Sequence, residues 1–275
     1  MIFNSFRQHG ALNSPPIFDA FEAGLGRIGH TVVQNQMNSD AAIIWSVLWH
    51  GRMKQNRAVW DHYRQQNRPV IVLEVSCLQR DHTWKIGING INAGSYFVPA
   101  QVDDTRIKKL GVSLQSWRQG ENIVVCPQHG FSHQWRENPS VDDWLRNTIT
   151  QIQQHTDRPI IVRPHPRFPV NLKNITVSKA PFKQDLLNAW AVVNWNSNPG
   201  IESIIQGVPS FVGPDSLAAP VANTNLADIE TPQMPDRTQW LNELAWTEWT
   251  IEEMAAGIPQ KLLIDQIQLS TITGS

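Results

Sequence analysis

The sequence predicts an α/β protein of two doubly wound domains in tandem, and three observations predict it. Short apolar runs rich in β-branched residues recur along the chain, and helix-like stretches with apolar residues on one face separate them. The whole series then occurs a second time, after a polar, strand-poor segment. At 275 residues, with 41% hydrophobic and 17% charged, the chain is long enough to build two modest domains with real cores.

In the first series, strands are predicted at MIFNSF, HTVVQN, AAIIWSV and PVIVLEV. Between the first two, Ser14-Pro15-Pro16 opens a helix, because proline is tolerated in a first turn; Ile17, Phe18, Phe21, Leu25 and Ile28 then share one face. A second helix is predicted from about Arg52 to Asn67. The polar stretch from Asp103 to Gly120 reads as the linker, which divides the chain into domains 1–115 and 116–275. Beyond it, strands are predicted at NIVVCPQ, PIIVRPH, NITVS, AVVNW and PSFVG. Helices are expected over Val141 to His155, Asp185 to Asn188 and Pro199 to Gln206, the last opened by its proline and stopped by Gly207. After Gly213 strand character fades. Helix-like segments at Thr238 to Leu244 and Thr250 to Ala256, and a polar tail, are assigned to the second domain.

Several classes of function are excluded or lowered. No apolar run reaches the roughly 20 residues that span a bilayer, and the first residues lack the pattern of a signal peptide, so no membrane partner and a cytoplasmic site of action are expected. Cys77 and Cys126 each end an apolar run and read as buried thiols. A P-loop, GxSxG, HExxH, paired CxxC and DxD are all missing, which lowers ATPase, hydrolase and zinc-enzyme readings; no metal and no cofactor are expected. Net charge is −1, yet residues 1–120 hold 13 Lys+Arg against 8 Asp+Glu, and residues 121–275 hold 10 against 16. A basic first half suits a polyanionic acceptor.

The most informative stretch is Arg163-Pro164-His165-Pro166-Arg167, directly after a predicted strand. Its prolines keep the backbone extended and set two guanidinium groups and an imidazole at a strand's carboxyl end, which suits phosphate. The plain alternative is a surface turn that ends a strand. A second signal is Asn194-Trp195-Asn196-Ser197-Asn198-Pro199-Gly200-Ile201-Glu202, where Ser197 and Asn198 stand at the N-cap of a helix whose first amides attract anions. Glu202 can accept hydrogen bonds from a ribose or sugar hydroxyl, or simply complete a capping box. With Gln128 and His129 before Gly130 as a third wall, these segments read as one nucleotide site.

The first half offers an acceptor side. Glu74, at the end of PVIVLEV, is the best-placed carboxylate to take a hydroxyl proton, with His50 and Asp81 as further catalytic candidates and Asp40 in reserve. A buried structural carboxylate is the plain reading of Glu74. His9 and His50-Gly51-Arg52 follow strands and suit loops that line a ligand crevice, although core packing or helix capping explains such histidines equally well. The stretch Arg80-Asp81-His82-Thr83-Trp84-Lys85, followed by IGINGIN, combines charge, an aromatic ring and glycine as nucleic-acid contacts do.

The order RPHP, then SNPGIESIIQGVPSFVG, resembles the C-terminal domain of GT-B glycosyltransferases with an HP motif, among them capsule-type Kdo transferases, bacterial sialyltransferases and polyglycerol-phosphate polymerases. The likeness covers roughly residues 121–260, and SLAAPVANTNLADIE and ELAWTEWTIEEMAAG also look like phage and capsule-type members. It implies a GT-B fold of two Rossmann-like domains facing a central cleft, metal-independent transfer, and a nucleotide-sugar co-substrate with UDP as the expected nucleotide. By resemblance His165 binds the donor phosphate, and Ser197 with Asn198 holds phosphate or ribose. The stretch from WHGRM to WKIGINGIN is similar to phage-encoded glycosyltransferases of 5-hydroxymethylcytosine in DNA. That likeness implies a DNA acceptor, met by His9, Arg52, Arg80, Trp84 and Lys85, a base flipped out of the duplex, and action in a host cytoplasm. Two alternatives stand beside it: surface-polysaccharide assembly from CMP-Kdo or a UDP-sugar, and a non-catalytic module that binds nucleotide or DNA.

Overall fold

Apolar β-branched runs become the central strands, and the one-faced helices between them cover the sheets. The computed structural model describes residues 1–101, 103–170 and 175–264; Asn174 of the expected strand NITVS, and the expected tail beyond residue 264, lie outside them. The first series contains β1 (Ile2–Ser5), α1 (Pro15–Arg27), β2 (Thr31–Gln34), β3 (Ala41–Trp45), α2 (Asn56–Gln65), β4 (Val70–Val75), β5 (Trp84–Ile88) and α3 (Thr105–Leu110). β1 to β4 pair in parallel, and β5 joins β4 antiparallel. All of β3 and the first four residues of β4 are buried, as expected of strands covered on both faces. α1 has proline in its first turn and buries Ile17, Phe18, Phe21 and Leu25.

The second series contains β6 (Asn122–Cys126), α4 (Val141–Gln153), β7 (Ile160–Val162), β8 (Thr176–Val177), α5 (Phe182–Asp185), β9 (Ala189–Asn194), α6 (Asn198–Ile205) and β10 (Ser210–Phe211). Its sheet is parallel, in the order β10-β9-β6-β7-β8. α4 starts where Ser140 Oγ accepts the Asp143 amide at 3.1 Å, and Asp142 and Asp143 complement the helix dipole. α6 stops at Gly207, whose φ of +79° suits glycine; an added Cβ there would collide with the Ser116 carbonyl. The chain then runs through α7 (Thr238–Leu244), β11 (Glu248–Trp249) and α8 (Ile251–Ala255).

The chain divides into one unit of Met1–Leu110 with the segment from Asn242 onward, and another of Gly111–Leu241. This differs from the expected division, because the C-terminal segment belongs to the first unit. β11 pairs antiparallel with β5, Glu248 opposite Lys85 and Trp249 opposite Trp84, so the first sheet runs β11-β5-β4-β3-β1-β2. Arg106 on α3, 7% exposed, donates to both carboxylate oxygens of Glu253 at 3.0 Å and to the Ala245 carbonyl at 2.6 Å. It also donates to the Glu248 carbonyl and stacks 3.8 Å from the centre of the Trp249 ring. Lys109 adds a 2.7 Å bond to Glu253. The expected linker is therefore structured at both ends: residues 105–110 form α3, and Gln115 and Arg118 hydrogen-bond Ile205 and Gly207 beside the end of α6.

Candidate functional site

In a doubly wound sheet, ligands bind beyond the carboxyl ends of the strands where the winding direction reverses. In the second unit that point is β6 with its neighbour β9. The loop after β6 carries Gln128 and His129, the loop after β7 carries His165, and the turn after β9 leads into α6. Gln128 is buried and ties the first and third together. Its Oε1 accepts the Asn196 amide at 3.1 Å, and its Nε2 donates to Ser132 Oγ at 3.0 Å and Gln134 Oε1 at 3.1 Å. Gln128 thus acts as a brace inside the site rather than as the expected ligand group.

His129, 2% exposed, meets His165 ring to ring at 5.0 Å and 78°, with Phe168 at 4.8 Å and Phe131 at 5.8 Å. Each imidazole accepts a backbone amide at Nδ1, His129 from Phe131 at 3.2 Å and His165 from Arg167 at 3.1 Å. A neutral ring so bonded carries its proton on Nε2, which makes that atom a donor. The aromatic wall of Phe131 and Phe168 escaped the sequence reading, although each follows its histidine by two or three positions. The expected HP-motif imidazole and the β9 turn both abut the 128–129 loop, so these segments do converge.

The Arg163 guanidinium does not join them. Arg163 donates to Asp185 Oδ2 at 2.9 Å and to the Ala180 carbonyl, and lies 5.6 Å from the centre of the Phe182 ring, so its charge is offset within the fold. Ser178 Oγ holds the other oxygen of Asp185 at 2.6 Å. Arg167 is exposed on the turn after His165. Ser197 is the N-cap of α6, as expected, in extended conformation, but its hydroxyl makes no capping bond. Asn198 is the first helical residue. Asn194, which carried no role in the sequence reading, is 2% exposed, and its Nδ2 donates to the Ser197 carbonyl at 3.3 Å. Glu202, half-buried one turn into α6, projects its field onto Cys126 at the end of β6.

At the carboxyl edge of the first sheet, Ser46 follows β3 with φ +63°, an uncommon conformation for a residue other than glycine. Its hydroxyl donates to Glu74 Oε2 at 2.6 Å and accepts the Leu48 amide at 3.1 Å, and the Val75 amide donates to Glu74 Oε1 at 2.8 Å. The loops after β1 and β3 are stitched together at the same edge. Arg52 Nε donates to the Gly10 carbonyl at 3.1 Å, and Asn56 Nδ2 donates to the Trp45 carbonyl at 2.7 Å and the His9 carbonyl at 3.4 Å. His9 stacks on Phe6 and burial lowers its pKa, while His50 is exposed where its loop enters a short helical turn. Asp40 lies at the other end of β3, where its carboxylate accepts the Ile2 amide at 2.7 Å.

Trp84 and Lys85 are corrected. Both lie in β5, 8% and 3% exposed, and offer no surface to a DNA acceptor. Lys85 is flanked in register by Glu74 on β4 and Glu248 on β11; burial works against its charge, but the fields of Cys77, Glu248 and Glu74 raise its pKa overall. Glu248 accepts from Ser76 Oγ at 2.5 Å, the Cys77 amide at 2.6 Å, the Leu78 amide at 3.3 Å and Thr83 Oγ1 at 2.8 Å. That carboxylate organises the 76–83 loop, on which Arg80 and Asp81 are exposed, Asp81 at φ +65°. The charge asymmetry dissolves as well. Counted by structural unit, 1–110 with 242–275 holds 13 Lys+Arg against 13 Asp+Glu, and 111–241 holds 10 against 11.

The fold is α/β of the GT-B class, built from two Rossmann-like units. Sequence comparison finds no matching family model and no matching curated protein. Among solved structures, the chain is similar to the β-Kdo 2,4 transferase of Thermosulfurimonas dismutans KpsC, with TM-score 0.54 and 14% identity over 97% of each chain. It is likewise similar to the β-Kdo 2,7 transferase of the same KpsC, with TM-score 0.54 and 13% identity over 95% of this chain and 99% of that one. Among the described residues, no helix is long and apolar enough to cross a membrane.

Proposed function

We propose that this protein is a glycosyltransferase that moves a sugar from a nucleotide-activated donor to a hydroxyl of a growing surface polysaccharide. The observation that carries the reading is the imidazole pair at the switch point of the second sheet: His165, with Nδ1 tied to the Arg167 amide, presents Nε2–H beside His129 and the braced turn into α6. In the transfer, the acceptor oxygen bonds to the anomeric carbon as the bond from that carbon to the donor phosphate oxygen breaks. The phosphate leaves with the bonding pair, and an imidazole donor with the amides of a helix start offsets the charge that builds on it. The acceptor's proton goes to a carboxylate, for which Glu74, oriented by Ser46, is the candidate. Arg163 serves this site as a structural residue, and Arg167 is the guanidinium left to meet a phosphate from solvent.

A saccharide acceptor is favoured over DNA because Trp84 and Lys85 are buried and neither unit carries a basic surplus. The likeness to two Kdo transferases points the same way and places CMP-Kdo first among donors to test, with UDP-sugars next. The test is a matrix of CMP-Kdo, CMP-sialic acid and UDP-hexoses against oligosaccharide acceptors and hydroxymethylated DNA, read by mass. Transfer to a saccharide is expected, with His165→Ala lowering turnover by about 10²-fold or more through lost charge stabilisation. Transfer to hydroxymethylated DNA alone would restore the DNA reading, and nucleotide binding without transfer to any acceptor would leave a binding module.

A further inference from the structure

A cavity of about 350 Å³ in the second unit belongs to none of the residues assigned above to catalysis or phosphate. Side chains alternate along a strand, and that alternation decides which face the cavity occupies. Val193 of β9 and Phe211 of β10 pack into the core that also holds Leu145 and Ile152 of α4. Asn194 and Val212, the next residues, meet Gly200 at the start of α6. Trp195 therefore returns to the α4 side, where its ring lies on Gly213 so closely that an added Cβ would sit 2.8 Å from the ring carbons. The cavity lies between that ring and α4, over the ends of β9 and β10, where Asn194 and Val212 also reach its wall.

Its chemistry is uniform, since every lining residue is uncharged. Trp144 and Trp195 supply ring faces, and Asn147, Gln151 and Asn225 supply amides that both donate and accept. Asn147 and Gln151 are exposed and one helical turn apart on α4. The rings are fixed in advance. Trp135 meets Trp144 edge-on at 5.4 Å and itself bonds the Pro139 carbonyl at 2.9 Å, while the Gly213 amide bonds the Trp195 carbonyl at 2.7 Å. Ordered apolar walls with a few placed amides bind a neutral ring rich in hydroxyls at little entropic cost. A nucleotide is disfavoured, because no cation lines the cavity to meet its phosphate.

We propose that this cavity is a second saccharide-binding subsite, which holds a neutral pyranose of the acceptor glycan apart from the imidazole pair. The choice of a glycan over other neutral rings rests on the transferase reading. Binding of the full chain to a printed array of neutral oligosaccharides, made of hexoses and N-acetylhexosamines, tests it, followed by titration of the strongest binder. The double variant Asn147→Ala/Gln151→Ala and the variant Trp195→Ala are expected to weaken that binding about tenfold or more, and His165→Ala to leave it intact. The first of these changes only exposed side chains, so it reads the cavity even if Trp195→Ala misfolds. Titration with CMP and UDP should show the reverse pattern, sensitive to His165 alone. Array binding that is absent, or indifferent to the cavity variants, overturns the proposal. So does uncharged cytidine or uridine bound with the same variant sensitivity. Loss of nucleotide binding and transfer in all forms would fault the transferase reading while leaving the cavity result legible.

Discussion

Replacing Arg106 by methionine tests how the returning C-terminal segment is held. The substitution keeps much of the side-chain volume, removes the two bonds to Glu253 and those to two backbone carbonyls, and leaves a buried carboxylate with the partly exposed Lys109 and the Thr250 amide. Breaking one side of a buried ion pair costs about 3–5 kcal/mol. The pH dependence can be worked from Glu253. Burial would raise its pKa, but the bonds from Arg106, Lys109 and the Thr250 amide outweigh burial and hold it down to about 2, from an ordinary value of 4.5. A group whose folded pKa is depressed contributes stability that is fully present above its unfolded value and is lost as the pH falls through the folded one. Here that contribution is roughly 3 kcal/mol, lost between about pH 4.5 and 2. Urea unfolding of wild type and Arg106→Met, followed by tryptophan fluorescence at pH 7, 5, 4 and 3, should show a gap of several kcal/mol at neutral pH that narrows on acidification. A neutral-pH gap below about 1 kcal/mol, or one that stays constant into acid, refutes the assignment of this pair as the latch.

Further outcomes follow from neighbouring features. Glu248→Gln turns an acceptor of four hydroxyl and amide donors into a group that also donates, and should cost about 2–4 kcal/mol; amide exchange across residues 76–83 should quicken, and unchanged protection there would contradict the role given to that carboxylate. Gly207→Ala combines a left-handed backbone with a collision at Ser116, and a loss of at least about 2 kcal/mol is expected; a melting temperature equal to wild type would show that the turn relaxes freely. Burial first, and then the charge of Glu248, push the Cys77 thiol up, so it should resist neutral thiol reagents until urea opens the fold; rapid labelling of the native protein would place it at the surface instead.

Much of the fold was legible in the sequence because the central strands are mostly apolar runs, as in β3, β4, β6 and β9, and their helices start beside recognisable signals, Pro15 in α1, the N-cap Ser140 before α4 and Pro199 in the first turn of α6. β5 was not. Its residues WKIGI mix a charge and a glycine into the run, and the partner that makes the charge tolerable, Glu248, lies more than 160 positions away. The same distance hid the return of the C-terminal segment, whose local pattern is simply helical. At the candidate site, the HP segment and the β9 turn were legible because proline and polar residues at strand ends mark loops that ligands can reach. Arg163 was not, since a guanidinium suits a phosphate and a carboxylate equally, and Asp185 claims it from 22 positions on. Gln128 looked like a ligand for a similar reason, its amide being as able to brace two loops as to meet a substrate.

The first sheet is assembled from two stretches far apart in the chain, Met1–Leu110 and the segment from Asn242 onward, with residues 111–241 intervening in sequence. During synthesis the middle portion emerges complete and can fold behind the ribosome, whereas the earlier portion must wait, its edge unpaired and Arg106 without its carboxylate, until residue 253 has been added. Termination between residues 241 and 248 would therefore leave the middle portion whole and the first sheet without β11 and without the carboxylate that Arg106 requires.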